Sequence, residues 1–425
     1  MVFSTPLAIT LKELGLTEGV NLSLPSEPLM IGVTMIYFLN ELSNQVTDKR
    51  ILRHPITIII FIQMGWMLIT TLTSELPIIS TKFLLSRIWF LTSCYFICTE
   101  LFKKQKAIFY HLLLYSIALA IVAIITTVKH ASYAFDEKIA DWIVSPFYND
   151  HTAYGAALAM YIPVMFGILF MKNISFYLKI VCFGLLLIFL TSIIISYARA
   201  GWLSLAVSLG VLLTLALKIK FRTLLFSLIG GIIVFLSFQT EILMVLGRNN
   251  TDSDGDFMAN VESMTNISTD VSNVERLNRW SCALRMFEEK PVFGFGPGTY
   301  QFLYAPFQKS SMKTVISTNF GDKGNAHSEY LGPLSEQGLI GALIVFALVL
   351  AVMFLGYRLV YTLKDKSLKI LSITLLMGMS TYFVHGFLNN FLDTDKASVP
   401  FWGFLAMLVC IDVYYREQES DSKIL

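Results

Sequence analysis

A polytopic bundle of transmembrane α-helices is the fold class this sequence predicts, and three observations predict it. Of its 425 residues, 55% are hydrophobic and only 15% charged, with a mean hydropathy of +0.65. A soluble domain carries about 25% charged and 45–50% apolar residues. The apolar excess falls in runs of roughly 17–22 residues, long enough to cross a bilayer as helices. Short charged stretches separate the runs. A soluble enzyme, a disulfide scaffold and a disordered chain are excluded. The net charge of +2 says little about partners, because in a membrane protein the distribution of charge matters. Membrane lipids are the expected surroundings, and no nucleic-acid partner is expected.

The runs place spans at 27–44 (weakly), 55–73, 83–101, 107–128, 153–171, 180–197, 200–217, 223–240, 336–356, 370–388 and 399–415, with 3–20 as a doubtful twelfth. Gly, Ser and Thr interrupt them, which permits close helix packing. Met1–Val20 holds Lys12 and Glu13 where a cleavable signal peptide needs an apolar core, so none is expected. Cys94, Cys98, Cys182, Cys282 and Cys410 are scattered without metal-site spacing and read as packing residues.

Basic residues orient the bundle. One set of short loops holds Lys49, Arg50 and Arg53; Lys103, Lys104 and Lys106; Lys172 and Lys179; Lys218, Lys220 and Arg222; then Arg358, Lys364, Lys366 and Lys369. The alternate loops hold chiefly Lys82, Lys129, Lys138 and Lys396. The first set is therefore expected in the cytoplasm, with the tail Arg416–Leu425. Three parts follow: N-terminal transmembrane helices over 1–240, a large periplasmic loop over 241–335, and C-terminal helices with a short tail over 336–425.

Within the large loop, Arg248–Asp270 reads as a mobile segment. Ser272-Asn-Val-Glu275 fits a capping box, and Trp280, Ala283, Leu284 and Phe287 form an apolar stripe at helical spacing. Pro291 ends that helix, and Gly294, Gly296 and Gly298 mark tight turns. The smaller outer loop, 129–152, carries Trp142 and Tyr148 and reads as an interfacial cap.

Four residues stand out chemically. Arg199, in Ser196-Tyr-Ala-Arg-Ala-Gly-Trp202, lies at an almost loopless joint between spans; such an arginine either snorkels to the interface or faces an anionic partner. Arg276 and Arg279 lie three apart on the loop helix. Arg276 is expected near the helix start, where free N–H groups also favour an anion, whereas Arg279 equally suits a solvated face. His327, in Gly324-Asn-Ala-His-Ser-Glu-Tyr330, is a candidate base at the membrane–water boundary, with Glu329 close enough to modulate it. His54 and His111 are expected in the cytoplasm and within a span, His130 and His151 flank the smaller loop, and His385 with Asn389 forms a polar pair at i and i+4. No metal-ligand cluster is present, and Asp393 and Asp395 read as solvated or capping groups.

These residues resemble the motifs of the O-antigen ligase and polymerase superfamily, bacterial integral-membrane glycosyltransferases. Ser196–Trp202 is similar to the family's arginine motif, with Tyr-Ala-Arg where a Ser-Arg pair is usual. Arg276-Leu-Asn-Arg-Trp280 with Pro291-Val-Phe-Gly-Phe-Gly-Pro-Gly298 resembles its arginine helix and Gly-x-Gly turn. His327-Ser328 followed by Gly338-Leu-Ile-Gly341 resembles the ligase histidine motif. The resemblance implies a glycan donor on undecaprenyl diphosphate and catalysis at the periplasmic face of the inner membrane without metal or cofactor. It implies that Arg199 and Arg276 bind the diphosphate and that His327 is the base. Arg279, Glu329 and Tyr330 complete the expected substrate-binding set. The acceptor is a lipid A core, a growing polysaccharide or, in a third branch, a protein. A flippase or transporter is the competing class; Arg87, with Lys82 and Glu75 nearby, is the intramembrane charge that suits it, but no repeat is visible.

Overall fold

In the computed structural model the described residues are 1–16, 22–44, 46–227, 230, 271–313, 317 and 324–416. Among them, nine helices are long and apolar enough to span a membrane. They are α2 (Pro55–Leu72), α3 (Pro77–Leu101), α4 (Gln105–Ala131), α5 (His151–Leu169), α6 (Phe176–Ile195), α7 (Arg199–Ala216), α9 (Leu331–Thr362), α10 (Lys366–Leu388) and α11 (Asp395–Tyr415). Two further helices are α1 (Ser26–Asn44) and the polar α8 (Val271–Glu289). The one sheet among the described residues is two-stranded, pairing β1 (Ile9–Thr10) with β2 (Ser23–Leu24). The expected polytopic helical bundle is thus the observed architecture.

The weakly expected span 27–44 is a helix tied at both ends to α11. Ser26 hydrogen-bonds Asp395 at the start of α11. Beyond the other end, Asp48 accepts from Tyr414 at 3.2 Å and its N–H meets Glu100 at 3.3 Å. Helix α1 packs against α3, although its composition is less apolar than a span's. Residues 3–16 of the doubtful twelfth span form turns and β1 rather than a transmembrane helix. With Lys12, Glu13 and Gly15 in it, that stretch has neither the length nor the continuity of an apolar run. The span expected at 223–240 lies largely outside the described residues, as does all of Arg248–Asp270.

Helices α5, α10 and α11 form the buried centre, and the remaining spans present exposed apolar faces. Strict alternation of helix direction puts two sets of loops on opposite faces. One face gathers Lys49, Arg50, Lys103, Lys104, Lys172, Lys218, Lys364 and Arg416. The other gathers the N-terminal hairpin, the 132–150 loop, the α6–α7 joint, α8 and the 389–394 loop.

The kink in α9 carries the site face. At Gly338 the chain leaves helical geometry (φ 69°, ψ −168°), and a Cβ there would lie 2.1 Å from the Val292 carbonyl oxygen. Only glycine tolerates both. The carbonyls released by this break are taken up by the turn after α8: Phe295 N donates to Ser335 O (3.1 Å) and Gly296 N to Glu336 O (2.8 Å). Trp66 Nε1 donates to Gln337 O (2.9 Å), and Leu339 N returns to Pro291 O (2.9 Å). The glycine-rich turn and the Gly338 motif are two halves of one joint, in which the backbone groups freed by the kink find partners.

Candidate functional site

His327 is placed by its neighbours. Its own backbone is left-handed (φ 46°), a conformation histidine adopts more readily than most residues. Asn325 Oδ1 accepts the His327 N–H at 3.0 Å, and Trp280 Nε1 from α8 donates to the His327 carbonyl at 3.3 Å. Ser328 Oγ accepts from the N–H groups of Tyr330 (3.2 Å) and Leu331 (3.3 Å), capping α9. The His-Ser pair is therefore a ring held out immediately before a capped helix.

Helix α8 brings the cations. The expected capping box does not start it: Ser272 is already inside the helix at the first residues described. Glu275 instead accepts from Arg279 Nε at 2.8 Å and from Ser317. Arg276 accordingly sits beyond the first turn of the helix, so free N–H groups do not contribute to its anion-binding potential. Its own charge does act at the site. Burial pushes His327 down to about pKa 3, and the Arg279 and Arg276 guanidinium groups push the same way, with the nearby Asn389 side chain opposing them. His327 is thus neutral at pH 7, with a ring nitrogen able to accept a proton.

Arg279 is not solvated but buried. It pairs with Glu275, donates to Asn325 O at 3.2 Å, and lies over the Tyr304 ring at 5.2 Å from its centroid. Its guanidinium braces the loop that carries His327. Arg199 begins α7 on the same face, where its Nη2 meets Glu137 Oε1 at 3.4 Å. A cation at a helix start is disfavoured by the dipole, so a carboxylate partner there is physically reasonable. The neighbouring Ala200 lies against His385, which feels the charge of Arg276. The structure therefore brings Arg276, Arg279 and His327 into mutual electrostatic range and sets Arg199 on the same face. The 132–150 loop is more than an interfacial cap, since Glu137 belongs to it.

Glu329 and Tyr330 brace the end of α10. Glu329 Oε1 accepts from the Tyr382 hydroxyl (2.6 Å) and from the N–H groups of Phe391 (2.8 Å) and Leu392 (2.9 Å). The Tyr330 hydroxyl donates to Phe383 O at 2.8 Å. Both also border a cavity of about 890 Å³, the principal one among the described residues. Asn325, Ala326 and Ser328 line it, while His327 between them does not. Its polar walls come from Gln63, Arg87, Asn390 and Asp393, and its rings include Phe83, Trp89 and Tyr300.

Arg87 donates to Leu392 O at 3.0 Å. Asp393 is exposed and lines the cavity, in keeping with a solvated group; desolvation by the surrounding protein raises its carboxyl to about 6, Glu329 adds to the rise, and Arg87 opposes it. Asp395 is 1% exposed and bonded to Ser26, so it is an interior group. The 389–394 loop folds inward onto Glu329 and Arg87. Among the described residues, no three His, Cys, Asp or Glu side chains gather as a metal site. All five cysteines are free and buried.

Residues 183–346 match the O-antigen ligase family, a stretch that contains Arg199, Arg276, Arg279, His327 and the Gly338 joint. The segment is similar to the O-antigen ligase family. An uncharacterized protein of Haemophilus influenzae is 26% identical over 220 residues, covering 51% of this chain. The chain spans about half the length of that curated relative, 52%. Members of the O-antigen ligase family are glycosyltransferase-like membrane enzymes. Sequence reading missed the cavity residues Gln63 and Asn390 and saw Arg87 only as an isolated charge. The available signal was a polar side chain inside or beside an apolar run; what joins these residues is a fold contact across more than 300 positions, as between Arg87 and Leu392.

Proposed function

We propose that this protein is an O-antigen ligase-like glycosyltransferase. It moves a glycan from undecaprenyl diphosphate to an acceptor hydroxyl, on a lipid A core or a growing polysaccharide, at the periplasmic face of the inner membrane. The observation that carries the reading is the meeting of a neutral histidine with arginines of α8 inside the family-matched segment. The basic loops of the opposite face support a cytoplasmic placement for that face, which leaves the histidine outside.

In this reaction the acceptor oxygen attacks the anomeric carbon as His327 takes its proton. The bond from that carbon to the diphosphate oxygen breaks, and its electron pair leaves on the diphosphate. Arg276 and Arg199 stabilise that growing charge, for which Glu137 is a placeholder at Arg199. Arg279 holds the loop in register. The roomy, mixed polar and aromatic cavity beside the loop suits a glycan, whose hydroxyls need donors and acceptors and whose ring faces stack on aromatics. Among the described residues no His, Cys, Asp or Glu cluster gathers to hold a metal, and the proposed chemistry rests on these side chains.

The test is reconstitution in proteoliposomes with a lipid-diphosphate-linked glycan and a lipid A core or polysaccharide acceptor. Transfer that releases undecaprenyl diphosphate and persists in EDTA supports the reading. Lipid-linked glycan that crosses the bilayer without forming a new glycosidic bond overturns it in favour of a transporter. Loss of transfer in EDTA, restored by a divalent cation, overturns the metal-free mechanism.

A further inference from the structure

The walls of the cavity of about 890 Å³ hold polar groups that nothing in the described protein satisfies. Gln63 Oε1 from α2, Trp89 Nε1 from α3, Asn390 Oδ1 from the 389–394 loop and Trp402 Nε1 from α11 are shielded from solvent. None has a hydrogen-bond partner among the described residues, and all four side chains line the cavity. Trp402 is only 1% exposed. Buried polar groups are normally paired, so several orphans around one space need a physical cause. At about 1.5 Å per residue, Gln63, Trp89 and Trp402 stand roughly 10–18 Å inside the outer ends of their helices. Lipid at that depth offers them no alternative partner.

Charged residues of the same walls are already engaged. Arg87 donates to Leu392 O at 3.0 Å, Glu329 takes the Phe391 and Leu392 N–H groups, and Glu336 Oε1 accepts from Tyr300 N at 3.0 Å. The neutral groups are the ones left over. Two are indole N–H donors that cannot accept, and two are amide oxygens that cannot donate. A phosphate or carboxylate would answer only the donors, an ammonium only the acceptors, and an acyl chain neither. A hydroxyl answers both. The terminal torsions of Gln63 and Asn390 are soft, so each amide can turn toward a ligand in the cavity. The indoles add apolar surface for the C–H faces of sugar rings, and the volume falls within the range of ligand pockets, about 300–1,000 Å³.

We propose that Gln63, Trp89, Asn390 and Trp402 form a subsite for the saccharide chain of the acceptor, which recognises a neutral sugar residue near the one whose hydroxyl is glycosylated. This rests on the transferase reading above and narrows it: the acceptor is a saccharide and not a protein. The acceptor rather than the donor belongs here because Arg199, Arg276 and Arg279, which suit the donor's diphosphate, do not line the cavity. Asn325, Ala326 and Ser328, on both sides of His327, do line it. A sugar chain seated in the cavity therefore ends beside the loop that carries the base.

The experiment compares acceptor KM, donor KM, kcat and melting temperature for wild type, Gln63→Leu, Asn390→Leu and Trp402→Phe. Kinetics are read in proteoliposomes with a lipid-diphosphate-linked glycan as donor and a lipid A core or polysaccharide as acceptor. Each substitution is expected to raise the acceptor KM about 3–10-fold, the worth of one uncharged hydrogen bond. Donor KM and kcat should stay as they are, the pattern of lost ground-state binding. Gln63→Leu combined with Asn390→Leu should raise the acceptor KM about 10–100-fold. Melting of the free protein in detergent should not fall in either leucine variant, because an unsatisfied amide gives way to an apolar group of similar size. A lower melting temperature with an unmoved acceptor KM overturns the proposal, as does a rise confined to donor KM. The two leucine variants decide the matter where Trp402→Phe fails to fold. More efficient transfer to a protein than to either saccharide acceptor overturns the subsite and leaves the transferase reading standing. Wild-type protein that forms no glycosidic bond removes both.

Discussion

The segment from Gly324 to Tyr330 has two differently built surroundings. Around His327 the charges that bear on the ring are cationic, Arg279 and Arg276, and they add to burial in holding the imidazole neutral. Around the adjoining cavity the acids outnumber the bases: Glu27, Glu329, Glu336 and Asp393 against Lys82 and Arg87. Surplus positive charge in a partly dry site is stabilised by an arriving anion, whereas amides, carboxylates and rings in a roomy pocket match a neutral, hydroxyl-rich ligand. The two surroundings suit the two halves of a lipid-diphosphate-linked glycan reaction. Residues three apart on α8 repeat the contrast: Arg279 is locked to Glu275 and the loop backbone, while Arg276 exerts its charge on both His327 and His385.

Removing the base should break the comparison most severely. His327→Ala is expected to lower turnover by about 10²–10⁴-fold, the range for a positioned general base, with donor binding preserved; transfer and lipid-donor binding assayed separately will show it. Next in size is the division between the two arginines. Arg279→Ala strands the Glu275 carboxylate in the interior and should destabilise the protein by about 3–5 kcal/mol, read as a lower melting temperature in detergent. Arg276→Ala should weaken donor binding about 10- to 100-fold, the worth of a charge-assisted contact of about 1.5–3 kcal/mol. Arg276→Lys should restore only part of it, because an ammonium lacks the planar two-pronged donor. Unchanged donor binding in Arg276→Ala would erase the distinction.

A pH experiment sharpens it further. The cations lower the His327 pKa in the free protein, and a bound diphosphate compensates their charge. The acidic limb of kcat/KM, which reports the free enzyme, should therefore lie below the acidic limb of kcat, which reports the donor complex. Coincident limbs would show that the anion does not sit at these cations.

The smallest effect is expected across the segment. With its folded pKa raised to about 6, Asp393 binds more protons folded than unfolded between its ordinary carboxylate range and that value. Stability from this group is lost as pH rises through that window and stays lost above it. Asp393→Asn should therefore raise the melting temperature at pH 8 and have little effect at pH 4.

The sequence by itself determined the bundle, the alternation of its loops and the principal motif residues. Nine of the expected spans appear as long apolar helices, because a helix crossing lipid must satisfy its backbone internally and be apolar over a fixed length, and both demands are local. Arg199, Arg276 and His327 were legible for the same reason: a charge or a histidine beside a span stands out against its neighbours. Helix α1 was faint because its place is fixed at its ends, by Asp395 and Tyr414, rather than by its own hydropathy. The roles of Arg279 and Glu329 were hidden because a charged side chain reads as solvated or ligand-binding until its partners are known. Those partners are Glu275 and the Asn325 backbone for one, and the Phe391 and Leu392 amides for the other. The cavity and the Gly338 joint were decided only by tertiary structure. Each joins residues that no periodicity links, and each exists because buried polar groups far apart in the chain must find one another when water is excluded.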